Sequence, residues 1–297
     1  MKTLSVLIKR NIKLFFRDKG MFLTSLITPV ILLVLYATFL GDVYRDSFMM
    51  NLPEGLVISE KLLDGLVGGQ LVSSILSVSC VTVAFCSNFL MVQDKALGTA
   101  KDFLVSPVKP SLLALSYYIA TIASTLIICF SAAVLCLCYV AVVGFYMSAL
   151  DVLLLFVDII LLVLFGTALS SVVNFFLSTQ GQISAVGTMV SSCYGFISGA
   201  YMPISSFAEG LQRVISFLPG TYGTALLRGH AMRGALAEME AEGLTAELTK
   251  VTCDALDINL YFFGNAVETP AMYAILCGAT VLLLIVYVLL NRFKKVR

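Results

Sequence analysis

The chain has 297 residues, of which 59% are hydrophobic and 12% charged, with a mean hydropathy of +0.98 and a formal net charge of +1. Soluble globular domains are about 45–50% apolar, so this composition excludes a soluble protein and indicates an integral membrane protein. The charges are segregated by membrane side and are not gathered into a basic domain, so no nucleic-acid partner is predicted.

The cysteine, histidine and motif content excludes several kinds of chemistry. Seven of the eight cysteines lie in apolar runs and only Cys253 lies in a polar one, so we expect no disulfide framework. His230 is the single histidine, which excludes a two-histidine metal site. The sequence has no G-x-x-x-x-G-K-[ST], H-E-x-x-H or G-x-S-x-G motif, so we predict no catalytic residue, no metal and no cofactor on this chain.

The amino-terminal segment, residues 3–18, has the pattern of an amphipathic helix. Apolar residues cover one side, and the other side carries Lys9, Arg10, Lys13 and Arg17. Such a helix is expected in the cytoplasmic headgroup layer. A signal peptide is the alternative, but the apolar run of about 20 residues that follows is long for a signal sequence. We therefore interpret that run as a retained span.

Six apolar stretches are long enough to cross about 30 Å of hydrocarbon. They lie at about 21–41, 67–92, 112–144, 152–177, 183–202 and 271–290. With the amino terminus inside, thirteen of the nineteen lysines and arginines fall on the cytoplasmic side, so both termini are predicted to be cytoplasmic. The predicted fold is an all-α integral membrane protein whose single transmembrane domain covers residues 1–297.

The fifth predicted span carries a repeat of small residues. Gly187, Ser191, Gly195 and Gly199 recur every four residues, which places them on one helical face and lets another helix approach closely. This repeat predicts a helix-packing or dimer ridge and a central position for the span. The third and sixth spans are more uniformly apolar and are expected to be peripheral.

Polar residues follow one face of the second and fourth predicted spans. Because lipid penalises polar groups, these residues are expected to face the bundle interior or a water-accessible pathway. The candidate pathway residues are Gln70, Ser73, Ser77, Asn88, Asp158 and Asn174. Asp158 lies about 10 Å inside its span, and two interpretations stay open: a contact for a cationic substrate or proton, or a protonated or hydrogen-bonded tie between helices.

Residues 93–110 form a polar interruption between the second and third predicted spans. A helix over residues 94–104 would place Leu97, Ala100, Phe103 and Leu104 on one apolar stripe, with Asp94 and Lys95 off it. Prolines downstream end the helix. The alternative is a surface loop between two spans.

Pro219-Gly220 divides the segment of residues 203–232 into two halves, and each half is too short to cross a membrane. With Pro203 at its start, this segment predicts an external re-entrant helical hairpin, which requires protein to cover its broken backbone. Residues 233–269 contain seven acidic residues and predict an external acidic segment that is helical to about residue 252.

Two segments resemble the signature regions of type-2 ABC exporter permeases, the class that includes bacterial drug, antibiotic and polysaccharide exporters. They are QDKALGTAKDFLVSPVKP, which matches at Gly98-Thr99 and at Leu104-Val105-Ser106-Pro107, and FISGAYMPISSFAEGLQRVISFLPGTYGTALLRG, which matches at Ser198-Gly199 through Pro203 and at Phe217-Leu218-Pro219. The resemblance covers nearly the whole chain.

The resemblance implies a bacterial plasma-membrane permease that pairs with a second permease, identical or related. It also implies that separate ABC ATPase subunits, which bind ATP and Mg, dock at residues 93–110. The coupling residues expected from it are Gly98, Thr99, Phe103, Leu104, Ser106 and Pro107.

Two other functions are weighed against ATP-driven export. A secondary transporter could use Asp158 as a proton or cation site, but a single membrane acid and the absence of an inverted repeat disfavour it. A membrane-embedded hydrolase would need a nucleophile and base, which the sequence does not provide.

Overall fold

The computed structural model describes residues 2–50, 59–105 and 108–293, and within them the regular secondary structure is helical apart from one short hairpin. The elements in chain order are α1 (Lys2–Arg17), α2 (Lys19–Leu35), a π-helical turn (Tyr36–Leu40), α3 (Gly41–Met50), α4 (Glu60–Ala96), α5 (Thr99–Leu104), α6 (Pro110–Val143), α7 (Ala149–Phe176), α8 (Gln180–Ile197), a 3₁₀ turn (Ile204–Ser206), α9 (Glu209–Ile215), α10 (Pro219–Ala241), α11 (Ala246–Ala255), β1 (Leu260–Phe262), β2 (Asn265–Val267) and α12 (Thr269–Phe293).

Four helices in the described part of the chain, α4, α6, α7 and α12, are long and apolar enough to cross a membrane. The pair α1 and α2 makes a fifth if it counts as one span, although the two helices meet at an angle of 72°. The more polar α8, with eighteen residues, is not among them. The all-α membrane fold is therefore confirmed, and the full set of six spans stays a prediction.

The amino-terminal helix has the amphipathic pattern that the sequence predicts. Leu7, Asn11 and Phe15 are buried on one face of α1, which packs mainly against α6, while the basic residues except Arg10 are exposed. The helix stops at Asp18, whose carboxylate accepts the Met21 N–H at 3.1 Å and caps α2. This cap separates α1 from α2 and allows the bend between them.

The centre of the bundle is α4, in which nearly every residue between 62 and 92 is buried. It packs against α2, α6, α7, α8 and α10. The prediction that the fifth span is central is wrong within one chain, because α8 fully buries only Ile183 and Gly195. A four-residue repeat of small side chains provides a narrow contact, and the rest of α8 faces outward. Of the two spans predicted to be peripheral, α12 buries few residues, whereas α6 is buried at intervals along most of its length and packs against α1, α4 and α7, so the prediction fits the sixth span and not the third.

The segment after α8 differs in its details from the predicted one. The predicted break is found, because Pro219 begins α10 at a position where its missing N–H has no helical acceptor to lose. However, α10 continues past residue 232 to Ala241 and is buried against α4, α7 and α12. The helix predicted to about 252 is interrupted at Gly243, which has a φ of +116°, and α11 follows. The β1–β2 hairpin was not predicted, since strands of three residues show no usable alternation.

Candidate coupling and transport sites

The sequence predicts one helix over residues 94–104, but the structure divides this segment between the end of α4 and the separate helix α5. Leu97 caps the carboxyl end of α4, and Gly98 adopts a φ of +83°, a left-handed conformation that favours glycine and ends helices. The short α5 then runs from Thr99 to Leu104. The predicted stripe is therefore divided at Gly98. Ser106 and Pro107 lie outside the described residues.

Asp94, which lies off the predicted apolar stripe, is buried in the last turn of α4. Arg10 of α1 donates two hydrogen bonds to its carboxylate, at 2.7 Å from Nη1 and 3.1 Å from Nη2, and the Tyr117 hydroxyl of α6 donates a third at 2.5 Å. A bidentate pair of this kind fixes orientation as well as charge. The sequence did not indicate this cluster, because its members are separated by more than 20 residues.

The short helix α5 is connected to this cluster through Phe103. The Arg10 guanidinium carbon lies 5.1 Å from the centre of the Phe103 ring, a cation–π contact. Two apolar residues that flank α5 point outward instead: Leu97 is 75% exposed and Val105 is 90% exposed. This end of the molecule thus combines an exposed apolar surface with a partly buried cluster, Arg10–Asp94–Tyr117, that joins three helices.

Lys95 holds the end of α4 to the end of α7. Its Nζ donates hydrogen bonds to the carbonyl oxygens of Asn174 and Phe175 at 3.0 Å and of Leu177 at 3.3 Å. Carbonyls at a helix carboxyl end lack helical partners and carry partial negative charge, which suits an ammonium group. The end of α4 that precedes α5 is therefore fastened to α7 as well as to α1 and α6.

The candidate pathway residues are all buried inside the single chain. Asn88 Nδ2 donates to Ser170 Oγ at 3.0 Å and Ser171 Oγ at 2.9 Å, which ties α4 to α7. The Ser77 and Thr224 hydroxyl oxygens lie 2.5 Å apart, which ties α4 to α10. The other members of the set are equally buried: Gln70, Ser73, Asp158 and Asn174. In the described part of the chain, these residues lie in helix contacts, and their pathway role stays a prediction.

Asp158 makes hydrogen bonds to two other helices. Its Oδ2 lies 2.6 Å from Nδ1 of His230 on α10, and its Oδ1 accepts a hydrogen bond from the Tyr273 hydroxyl of α12, also at 2.6 Å. This geometry matches the hydrogen-bonded tie between helices that the sequence left open. Sequence reasoning considered His230 only as a possible metal ligand and did not single out Tyr273.

A groove with a volume of about 630 Å³ lies between α2, α4 and α8. Gly187 and Ser191 of the predicted ridge line it, together with Thr24, Gln93 and Thr188. Gly187 also approaches the Phe89 ring of α4. The groove thus presents both polar and apolar side chains on the side of the bundle.

The other two ridge residues lie elsewhere. Gly195 packs on the Tyr201 ring. Gly199 lies beyond the end of α8 with a φ of +72°, so it is not on the helical face that the repeat predicts. The structure therefore divides the predicted ridge into a groove half and an internal half.

The segment with Pro203 is fastened by a buried arginine that the sequence did not single out. Arg228 of α10 donates hydrogen bonds to the Gly199 carbonyl at 2.7 Å and the Leu256 carbonyl at 2.6 Å. Asp257 lies 3.6 Å from Arg228, and its Oδ2 accepts the Ile204 N–H at 2.7 Å. Burial raises the pKa of Asp257 to about 6, although Arg228 and the Ile204 N–H both oppose this rise.

Long apolar helices packed around a buried α4 define a multi-pass integral membrane protein. Residues 2–231 match the family model of the ABC-2 type transporter, and the chain belongs to this family. A search of curated proteins finds no match. Family membership makes the chain a membrane-spanning permease component of an ABC transporter, not a nucleotide-binding subunit, and confirms the resemblance noted in the sequence.

Proposed function

We propose that the chain is the permease subunit of an ATP-driven exporter in a bacterial plasma membrane, with both termini in the cytoplasm. Two permeases, identical or related, form the translocation path, and separate ATPase subunits bind ATP and Mg. Family membership supports the permease role, and the distribution of lysine and arginine supports the orientation. Secondary transport through Asp158 is disfavoured, because both carboxylate oxygens are engaged by other helices.

The observation that carries the proposal is the two-sided character of residues 97–105, which comprise α5 and its flanks. Leu97 and Val105 offer an apolar surface to a partner, while Phe103 contacts Arg10 on the inner side. A push on α5 would reach α1, α4 and α6 through the Arg10–Asp94–Tyr117 cluster. In this proposal Gly98 is the hinge, and Thr99, Leu104, Ser106 and Pro107 complete the coupling region as the family resemblance implies.

The groove between α2, α4 and α8 is the proposed position of the translocation path. Its mixed polar and apolar lining suits an amphipathic cargo that crosses the membrane, and the outward face of α8 leaves room for a second permease. The buried polar residues of α4 and α7 would then support the path from behind, because they hold α4 against its neighbours.

Leu97→Asp and Val105→Asp test the docking role without removing a described contact inside the chain. A carboxylate without a partner in a closed apolar interface costs about 3 kcal/mol, which corresponds to roughly 100-fold in affinity. We expect both variants to lose co-purification of an ATPase subunit with Mg-ATP hydrolysis. Val251→Asp on α11, where Val251 is 58% exposed, is the matched control. Normal co-purification and hydrolysis for both variants would reject the coupling role.

The orientation is tested at α11. Lys250→Cys is expected to react with a membrane-impermeant maleimide in intact cells, because Lys250 is exposed in a segment assigned to the outside. Native Cys253 gives little background, since burial raises its pKa to about 11 and the thiolate is the reactive form. Labelling that requires permeabilised cells would contradict the orientation.

A further inference from the structure

The β1–β2 hairpin carries an aromatic residue in a conformation that its side chain disfavours. Phe262 pairs with Asn265, so Phe263 and Gly264 form a two-residue loop, and both have positive φ, +48° and +85°. Such turns favour asparagine or glycine at the first loop position. A bulky aromatic residue there is an outlier, and outliers of this kind are concentrated at functional positions.

Phe263 belongs to a cluster of three phenylalanines at the surface. The ring centroids of Phe217 and Phe262 are 5.2 Å apart, and Phe263 lies 5.9 Å from Phe217 and 4.9 Å from Phe262, all with edge-to-face geometry. Phe217 is 63% exposed and Phe263 is 61% exposed. Water therefore contacts most of two large aromatic side chains unless another apolar medium covers them.

The exposed apolar surface continues onto α9. Leu211 and Val214 are spaced by three residues before Phe217 and are exposed, whereas Ile215 is buried. Gln212 points inward and donates hydrogen bonds to the carbonyls of Ser205 and Phe207. The short helix thus exposes Leu211 and Val214 beside the charged pair Glu209 and Arg213, and the phenylalanine cluster extends the apolar part of this surface.

The position of the hairpin brings this surface close to the bilayer. β2 ends at Val267, and the span α12 begins at Thr269. Four residues separate Asn265 from Thr269, a reach of at most about 13 Å. The headgroup layer on each side of the hydrocarbon is about 5–8 Å thick. The hairpin turn therefore lies within reach of the interfacial layer at the amino-terminal end of α12.

We propose that Phe217, Phe262 and Phe263, with Leu211 and Val214, insert at the boundary between headgroups and acyl chains of the leaflet that α12 enters at its amino-terminal end. The partner is the lipid surface, because continuity with a membrane span places acyl chains next to these side chains. Phenylalanine and leucine are characteristic apolar residues of interfacial segments. The inference depends on α12 spanning the membrane and not on coupling to an ATPase.

The absence of tryptophan from the sequence allows a direct test, since one substitution creates a single fluorescent reporter. Phe263→Trp is reconstituted into vesicles of phosphatidylcholine with brominated acyl chains, which quench tryptophan on contact. Leu282→Trp on α12, where Leu282 is 62% exposed, is the reference for full lipid contact, and Lys250→Trp on α11 is the reference for water.

We expect quenching of Phe263→Trp to approach that of Leu282→Trp and to exceed that of Lys250→Trp at least twofold. Phe217→Trp is a second reporter outside the turn, which keeps the test valid if Phe263→Trp disturbs the hairpin. Quenching of both reporters at the level of Lys250→Trp would overturn the proposal. A blue-shifted emission without quenching by brominated lipid would also overturn it, because it would assign the surface to a protein contact.

Discussion

Arg10 and Asp94 are 84 residues apart in the sequence, yet they form a bidentate pair that joins the amino-terminal helix to the end of α4. The Arg10 side chain is partly exposed and Asp94 is buried, so the pair is neither a free surface bridge nor a fully desolvated one. Breaking a buried pair from one side costs about 3–5 kcal/mol, and partial exposure of Arg10 reduces this to about 1–2 kcal/mol.

Asp94→Asn is therefore expected to lower stability modestly and to impair coupling more strongly. The amide keeps the shape of the side chain and can still accept a hydrogen bond from Tyr117, but it loses the charge that orients Arg10 over Phe103. In the reconstituted complex, permease-stimulated ATP hydrolysis should fall severalfold. Asp102→Asn, at an exposed carboxylate of α5, is the control. Equal hydrolysis for the two variants would show that the ion pair has only a structural role.

Asp158→Ala should destabilise the helix bundle by about 3 kcal/mol, because it leaves His230 and Tyr273 without their acceptor. Asp158→Asn should have a smaller effect, since an amide oxygen can still accept a hydrogen bond from Tyr273. Thermal unfolding in detergent measures both, with Glu247→Ala on the exposed side of α11 as the control. A loss of proton-dependent transport with unchanged stability would instead support the secondary-transporter alternative.

The two ridge glycines should respond differently to added bulk. Gly195→Leu would clash with the Tyr201 ring and is expected to lower stability by about 1–3 kcal/mol. Gly187→Leu would crowd the Phe89 ring at the edge of the groove, less severely than Gly195→Leu crowds Tyr201, so we expect it to impair permease pairing and transport with a smaller loss of stability. Gly181→Leu is the control, since a side chain there meets no atom within 4 Å. Cross-linking between subunits and thermal unfolding separate the outcomes. Unchanged pairing for Gly187→Leu would remove the groove from the dimer face.

Stability should depend on pH through Asp257. Its pKa is about 6 in the folded chain against an ordinary value of 3.8. Because the folded pKa is raised, the folded state binds the proton more tightly than the unfolded state does. Protonation of Asp257 therefore adds to the free energy of unfolding below about pH 4, and this stabilisation is lost as the pH rises to about 6. The difference corresponds to about 3 kcal/mol at most.

The test of Asp257 compares thermal unfolding of the native chain with that of Asp257→Asn between pH 4 and 7. The amide cannot ionise, so the native chain should lose more stability across this range than the variant does. Parallel pH profiles for the two chains would contradict the raised pKa.

The sequence alone determined the elements whose cause is local. Apolar runs of membrane length follow from the requirement that lipid-exposed backbone be satisfied within a helix, and α4, α6, α7 and α12 appear where the hydropathy places them. The amphipathic α1 and the break before Pro219 are equally local, since they depend on helical period and on a missing backbone donor. The family resemblance needed only two short segments, and the family match confirms it.

Only the tertiary structure decided which helix is central and which polar groups meet. A small-residue repeat shows that another helix can approach closely. Burial depends instead on how many helices surround a given helix, and for this reason α4, not α8, occupies the centre of the bundle. The contacts Arg10–Asp94, Asp158–His230 and Arg228–Gly199 join residues far apart in the chain. Sequence periodicity describes the faces of one helix and contains no information about which other helix lies against them, so these pairs follow from packing alone.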